Sequence, residues 1–239
     1  MKFAQDFKKD LTVLTDALLR GDRFAFIRFG DGESAILRQR ERPFNVKRDG
    51  ETWSSARVSE PTRVQLQEAL EADLPELYVA TICPACSGQS SEPLRRHVRC
   101  PIERQTYAEI FGNANFGTLR RYLTLLRSSV FLVSSHSTAD IRIPVDLIER
   151  PQEIEFVVRL LLSNPPKKPI ALAAGPAACI IGHQLWLNGH RVLPTVVDVG
   201  ALLDPVLWGT NTRHYMPGGS ARRKRVCTWD GVGVGLDTD

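Results

Sequence analysis

The chain lacks any apolar run that reaches the ~18 residues of a membrane-spanning helix. Its first residues, MKFAQDFKKDLTVLTDALL, set acids inside the apolar pattern and offer no small-residue cleavage site. They read as an amphipathic helix rather than a signal peptide. Cysteine is scarce and odd in number, five in 239 residues, which excludes a disulfide scaffold. A reducing cytoplasm is the expected compartment. Charge of neither sign dominates: 31 Lys and Arg against 27 Asp and Glu give +4, so composition does not argue for nucleic acid. It suits a protein that handles small anionic ligands. Walker A, GxGxxG and GxSxG motifs are missing, as are a Ser-His-Asp pattern, an internal repeat and coiled-coil heptads. What remains, 43% hydrophobic and 24% charged, is ordinary globular composition with enough length for a substantial core.

Periodicity supplies the elements. Residues 4–20 place Phe7, Leu11, Leu14, Leu18 and Leu19 at helical spacing, and Gly21-Asp22 ends that helix. FAFIRF (24–29) is a short apolar strand that turns at Gly30-Asp31-Gly32 into a helix start. Residues 41–60 are polar and read as an excursion or loop. A helix over 64–74, a buried strand over 77–83 and an irregular stretch over 84–101 follow. YAEIFGN is short and ambiguous. Residues 116–126 read as a helix, 129–135 as a strand, and 154–163 as a helix stopped before Pro165-Pro166. Residues 169–175 form a strand ending in Gly-Pro, 177–189 a helix capped by Gly189, and 192–200 the last strand. This alternation predicts an α/β fold, a Rossmann-like and mostly parallel sheet with helices on both faces. A single domain over 1–216 and a basic, Gly-rich tail over 217–239 are expected. ARRKR in that tail reads as solvated charge.

Ligands of open α/β sheets bind at the carboxyl ends of the strands, and three such ends carry chemistry here. In Arg28-Phe29-Gly30-Asp31-Gly32-Glu33, the glycines allow a tight turn and a close ligand. Asp31 and Glu33 can converge on one hard cation, Mg²⁺ or Mn²⁺, that binds a diphosphate, with Arg28 beside its oxygens. The competing reading is a helix start with Asp31 as cap and Glu33 in the first turn. Gly175-Pro176-Ala177-Ala178 could leave helix-N-terminal amides for phosphate, or simply form a tight turn. Asp198, followed by Gly200, ends an apolar strand and could serve as base or sugar-hydroxyl acceptor, or cap the next turn. Cys83, Cys86, His97 and Cys100 have the spacing C-x2-C-x10-H-x2-C, which could supply a structural zinc or be a loop of unpaired thiols. Asn113 and Asn115 could bind a base or sugar, or make an Asx turn. His136 follows a strand end within reach of a ligand; taken alone it reads better as a loop residue.

IRFGDGESAIL resembles the opening strand, turn and helix of the GT-D glycosyltransferases, whose hallmark is an Asp-X-Glu motif in an RFGDGE-like context. LYVATICPAC, IFGNANFGTLRRYL, ALAAGPAACIIGHQL and VVDVGALLD resemble later landmarks of that family in order, and all the landmarks together span roughly residues 23–205. The resemblance implies transfer of a sugar from a nucleotide-sugar donor, a UDP-sugar first, to an unidentified acceptor: a glycan, glycoprotein, peptide or small molecule. It also implies that Asp31 and Glu33 serve a metal–diphosphate site. A metal-dependent phosphohydrolase and a non-catalytic nucleotide-binding module are the alternatives. The first would call for a further Asp- or His-rich cluster, which the sequence lacks.

Overall fold

The computed structural model describes residues 1–38, 44–48, 51–83, 92–111 and 130–200, and the backbone of 226–227 and 233–234. In chain order the described elements are α1 (Phe7–Arg20), β1 (Ala25–Phe29), α2 (Asp31–Leu37), β2 (Asn45–Arg48), β3 (Glu51–Ser54), α3 (Glu60–Glu71) and β4 (Leu77–Thr81). Then come α4 (Glu92–Arg95), β5 (Gln105–Tyr107), β6 (Phe131–Ser134), β7 (Ile141–Arg142), α5 (Pro151–Ser163), β8 (Ile170–Ala173), α6 (Ala177–Gly189) and β9 (Val196–Asp198). A two-residue pairing of β10 (Val226–Cys227) with β11 (Gly233–Val234) is what is described of the expected tail.

Seven strands form one sheet in the order β5-β4-β1-β9-β8-β6-β7. Each of its six pairings is parallel, so all seven carboxyl ends lie on one edge. The expected fold class stands. β1, an interior strand and nearly all buried, pairs with β4 on one side and β9 on the other. That pairing sets the ends of the Arg28 strand and the Asp198 strand side by side.

The period-two alternation of the strands divides the core between two faces. Ala25, Ile27, Phe29, Leu77, Val79, Ile170, Leu172 and Val196 pack with buried residues of α3, α5 and α6. Phe24, Phe26, Tyr78, Ala80, Ala171 and Val197 pack with Phe3, Leu11, Leu14 and Ala17 of the α1 layer. An edge-to-face series runs through the second face. Phe3 meets Tyr78 at 5.5 Å and Phe26 at 6.1 Å, and Phe26 meets Phe111 at 5.9 Å. Such pairs each add ~0.5–1.5 kcal/mol beyond area burial, and this series ends at Phe111, in the turn that follows β5.

Several local expectations change. Gly21 does end α1: its φ is +73°, and Asp22 N–H reaches Ala17 O at 2.9 Å, a Schellman closure. Gly189 is not a cap. It lies inside α6, and a Cβ there would stand 2.6 Å from Leu193 Cδ1 and 2.7 Å from Leu162 Cδ2, so close packing requires glycine. The polar excursion over 41–60 contains the antiparallel β2–β3 hairpin, which carries buried Trp53. The helix expected over 64–74 starts at Glu60, because Ser59 accepts the Thr62 N–H and Pro61 opens the first turn. The helix expected over 116–126 lies outside the described residues.

Candidate functional site

Arg28 organises the strand ends. It points from β1 toward the α1 face, over the Phe111 ring at 5.3 Å. Its Nε donates to Asp198 O at 3.0 Å, its Nη1 to Ala108 O at 2.8 Å, and its Nη2 stands 3.6 Å from Asp198 Oδ1. The same Asp198 oxygen accepts the Gly200 N–H at 2.8 Å. Gly200 has φ +50°, and a Cβ on it would land on the Arg28 guanidinium. Glycine is required there twice over, for the left-handed backbone and for the guanidinium's space. Part of the Arg28 donor set is therefore committed to protein oxygens.

Asp31 and Glu33 open α2 and differ sharply in setting. Asp31 is exposed, whereas Glu33 is buried. The Gly30 N–H donates to Glu33 Oε2 at 2.7 Å, the backward half of a capping box. The capping role thus falls on the same side chain as the candidate ligand. Burial, reinforced by the nearby Asp198 charge, pushes the Glu33 pKa up to about 7, against the pull of the Gly30 N–H and Arg28. Burial likewise raises Asp198, with Arg28 opposing. Gly32 is wedged between two elements: a Cβ on it would lie 3.1 Å from Pro176 Cγ and 3.2 Å from Trp53 Cη2. The Gly175–Pro176 turn, with Gly175 at φ +55°, is therefore brought against the Asp31 turn. The Ala178 N–H already donates to Gly175 O at 3.0 Å, so that amide is engaged within its own turn.

The structure thus gathers three of the expected groups: Arg28 to Glu33, Gly175-Pro176, and Asp198-Gly200. His136 has its Nδ1 2.7 Å from Thr138 Oγ1 and its backbone N–H on Ser134 Oγ. Asn113, Asn115 and Cys86 lie outside the described residues. Cys83 and Cys100 are buried, and burial raises the Cys100 thiol to about 11. His97 is exposed and faces Glu71, 3.5 Å away, and Gln67. Among the described residues no three His, Cys, Asp or Glu side chains gather as a metal cluster.

The two carboxylates of the Asp31 turn, Asp31 and Glu33, are nonetheless the donor type that a hard divalent cation takes. Mg²⁺ typically takes one or two protein carboxylates and completes its shell with substrate phosphate and water. When both are ionised, Glu33 and Asp198 set buried negative charge against one guanidinium, a balance that an added cation improves.

Two members of the site escape sequence reasoning. Glu109, in the turn Ala108–Phe111 after β5, accepts the Cys83 N–H at 3.0 Å. Burial pushes its carboxyl up to about 7; Asp31 adds to that rise, and Arg28 opposes it. Cys179, in the first turn of α6, donates its Sγ–H to Arg28 O at 3.1 Å. Burial raises this thiol well above its usual range, and the Glu33 and Asp198 charges raise it further. Glu109 sits in a segment too short for any period, and Cys179 in a run whose apolar character alone accounts for it.

No family model and no curated protein matches the chain. Three solved structures share its fold over most of its length. One is described as a selenomethionine form of domain of unknown function 1792, at 16% identity and TM-score 0.57, covering 98% of this chain and 90% of that one. A second is described as that conserved domain with a distinct glycosyltransferase fold, at 16% identity and TM-score 0.57, covering 97% and 90%. A third, from Streptococcus sanguinis, is described as a new glycosyltransferase of the same domain, at 15% identity and TM-score 0.57, covering 91% and 93%.

Proposed function

We propose that the protein is a glycosyltransferase that moves a sugar from a nucleotide-sugar donor, a UDP-sugar first, to an acceptor hydroxyl. The observation that carries this reading is the placement of Glu33 and Asp198 beside Arg28 at adjacent ends of β1 and β9, with Asp31 in the same turn as Glu33. The likeness to folds described as glycosyltransferases supports it.

Departure of a nucleoside diphosphate develops negative charge on its phosphate oxygens, which must be neutralised. Asp31 and Glu33 would hold a Mn²⁺ or Mg²⁺ ion, which supplies Lewis-acid stabilisation of that charge when bound. Exposed Asp31 meets the incoming diphosphate side. Glu33, fixed by the Gly30 N–H, presents a carboxylate that needs no reorganisation. Arg28 adds its guanidinium beside the phosphates, held in place by Asp198, Ala108 and the Phe111 ring. Trp53 and Pro176 clamp Gly32 and so fix the turn between the two acids.

Calorimetric titration of UDP and GDP with and without Mn²⁺ tests the donor site. Cation-dependent binding that Asp31→Ala removes is expected. Binding indifferent to both the cation and Asp31 contradicts the assignment.

A further inference from the structure

The functional edge is wider than β1 and β9. Because all seven strands are parallel, the turn after β5 stands on the same edge as the Asp31 turn and Asp198. Hydrogen bonds knit that edge into a row across four neighbouring strands. Asp198 at β9 holds Arg28 of β1, Arg28 holds Ala108 O after β5, and Glu109 takes the Cys83 N–H after β4. Glu109 therefore adjoins the residue that holds the guanidinium, on the side of β1 away from β9.

The carboxylates of this row differ in what they can still do. Glu33 is 7% exposed with Oε2 on the Gly30 N–H. Asp198 is 3% exposed, with one oxygen shared between the Gly200 N–H and Arg28. Asp31 is exposed and assigned to the cation. Glu109 is half-buried, and backbone N–H groups, that of Cys83 among them, orient its carboxylate. An acceptor hydroxyl needs a carboxylate that is oriented, reachable and not already spent on the cation.

Resting on the glycosyltransferase reading, we propose that Glu109 is a further catalytic residue, the carboxylate that receives the acceptor hydroxyl. The acceptor oxygen forms its bond to the anomeric carbon as the bond from that carbon to the diphosphate oxygen breaks. The electron pair leaves with the nucleoside diphosphate, and the hydroxyl proton passes to Glu109. Asp198, too enclosed to meet the acceptor, is then a positioning residue that acts through Arg28.

Release of nucleoside diphosphate from a panel of UDP- and GDP-sugars with Mn²⁺ tests this, with water in the acceptor's place. Glu109→Gln keeps an oxygen for the Cys83 N–H and removes the charge. It should lower release by ~10²-fold or more, the scale of general-base loss, while UDP·Mn²⁺ affinity and melting temperature stay at wild-type values. Glu109→Ala, in which formate can enter the vacated space, should regain release on adding formate, a rescue that a purely structural role would not show. Wild-type release in a folded Glu109 variant overturns the assignment, and so does loss of UDP·Mn²⁺ affinity alongside release. If the wild-type chain releases no nucleoside diphosphate from any donor, the glycosyltransferase reading itself fails. Release by wild type together with normal release by Glu109→Gln sinks the Glu109 role alone.

Discussion

Glu33→Gln should remove a pH-dependent weakness from the metal-free protein. The wild-type carboxyl is buried on the Gly30 N–H beside Asp198, and its pKa stands at about 7 against an ordinary 4.5. A folded pKa raised above the unfolded one means that the folded state favours the protonated form. Stability from this group is fully present below pH 4.5 and is lost as pH rises through about 7. Each pKa unit corresponds to ~1.36 kcal/mol, so ionising Glu33 in the folded chain costs about 3 kcal/mol. Between about pH 5 and about pH 8.5, some 2–3 kcal/mol of that falls due. At ~2–4 °C per kcal/mol for a chain of this size, wild type should lose about 5–10 °C more than Glu33→Gln over that range. Thermal melts in EDTA read this directly. Adding Mn²⁺ at the alkaline end should raise the wild-type melting temperature and leave the Gln variant unmoved, since only a ligand bound to the folded state stabilises it. Parallel pH profiles for the two proteins would refute the reasoning, because they would mean that the buried carboxyl carries no strain of charge.

Asp31→Ala should abolish nucleoside diphosphate release while the melt stays near wild type, because Asp31 is exposed and its loss opens no cavity; full activity in that variant or in excess EDTA would remove the cation assignment. Asp198→Asn keeps size and an oxygen for the Gly200 N–H but removes the charge facing Arg28. Because Arg28 then loses its ionic anchor, steady-state kinetics should show kcat lowered by ~10²-fold, the scale of a misplaced group. Gly182→Ala would place a Cβ 2.7 Å from Ile27 Cγ2, under the interior strand β1. Overpacking of this kind costs ~1–3 kcal/mol, which denaturant unfolding should register.

Much of the sheet was legible because its strands are buried on both faces. FAFIRF, LYVATIC and PIALAAG are short apolar runs bounded by turn residues, and each became a strand with little change of bounds. β5 and β7, three and two residues at the sheet's edges, carry too little pattern to be read. The β2–β3 hairpin was hidden because only Trp53 of its described side chains is anchored in the core beside Ser54, while Asn45 and Thr52 face water. At the site, residues next to glycines at strand ends could be picked out from local chemistry. Their mutual placement could not, because it depends on which strands are neighbours. Strand order set β9 beside β1 and let Arg28 reach both Asp198 and Ala108, 170 and 80 positions away. Glu109 entered the site only through that order.

The most direct test of the central claim is release of free nucleoside diphosphate from nucleotide sugars by the purified chain, with Mn²⁺ and in EDTA. Cation-dependent release of UDP or GDP, lost in Asp31→Ala, is the expected result. Release of inorganic phosphate instead, or binding of the donor without turnover in any condition, would contradict a sugar-transfer site at the ends of β1 and β9.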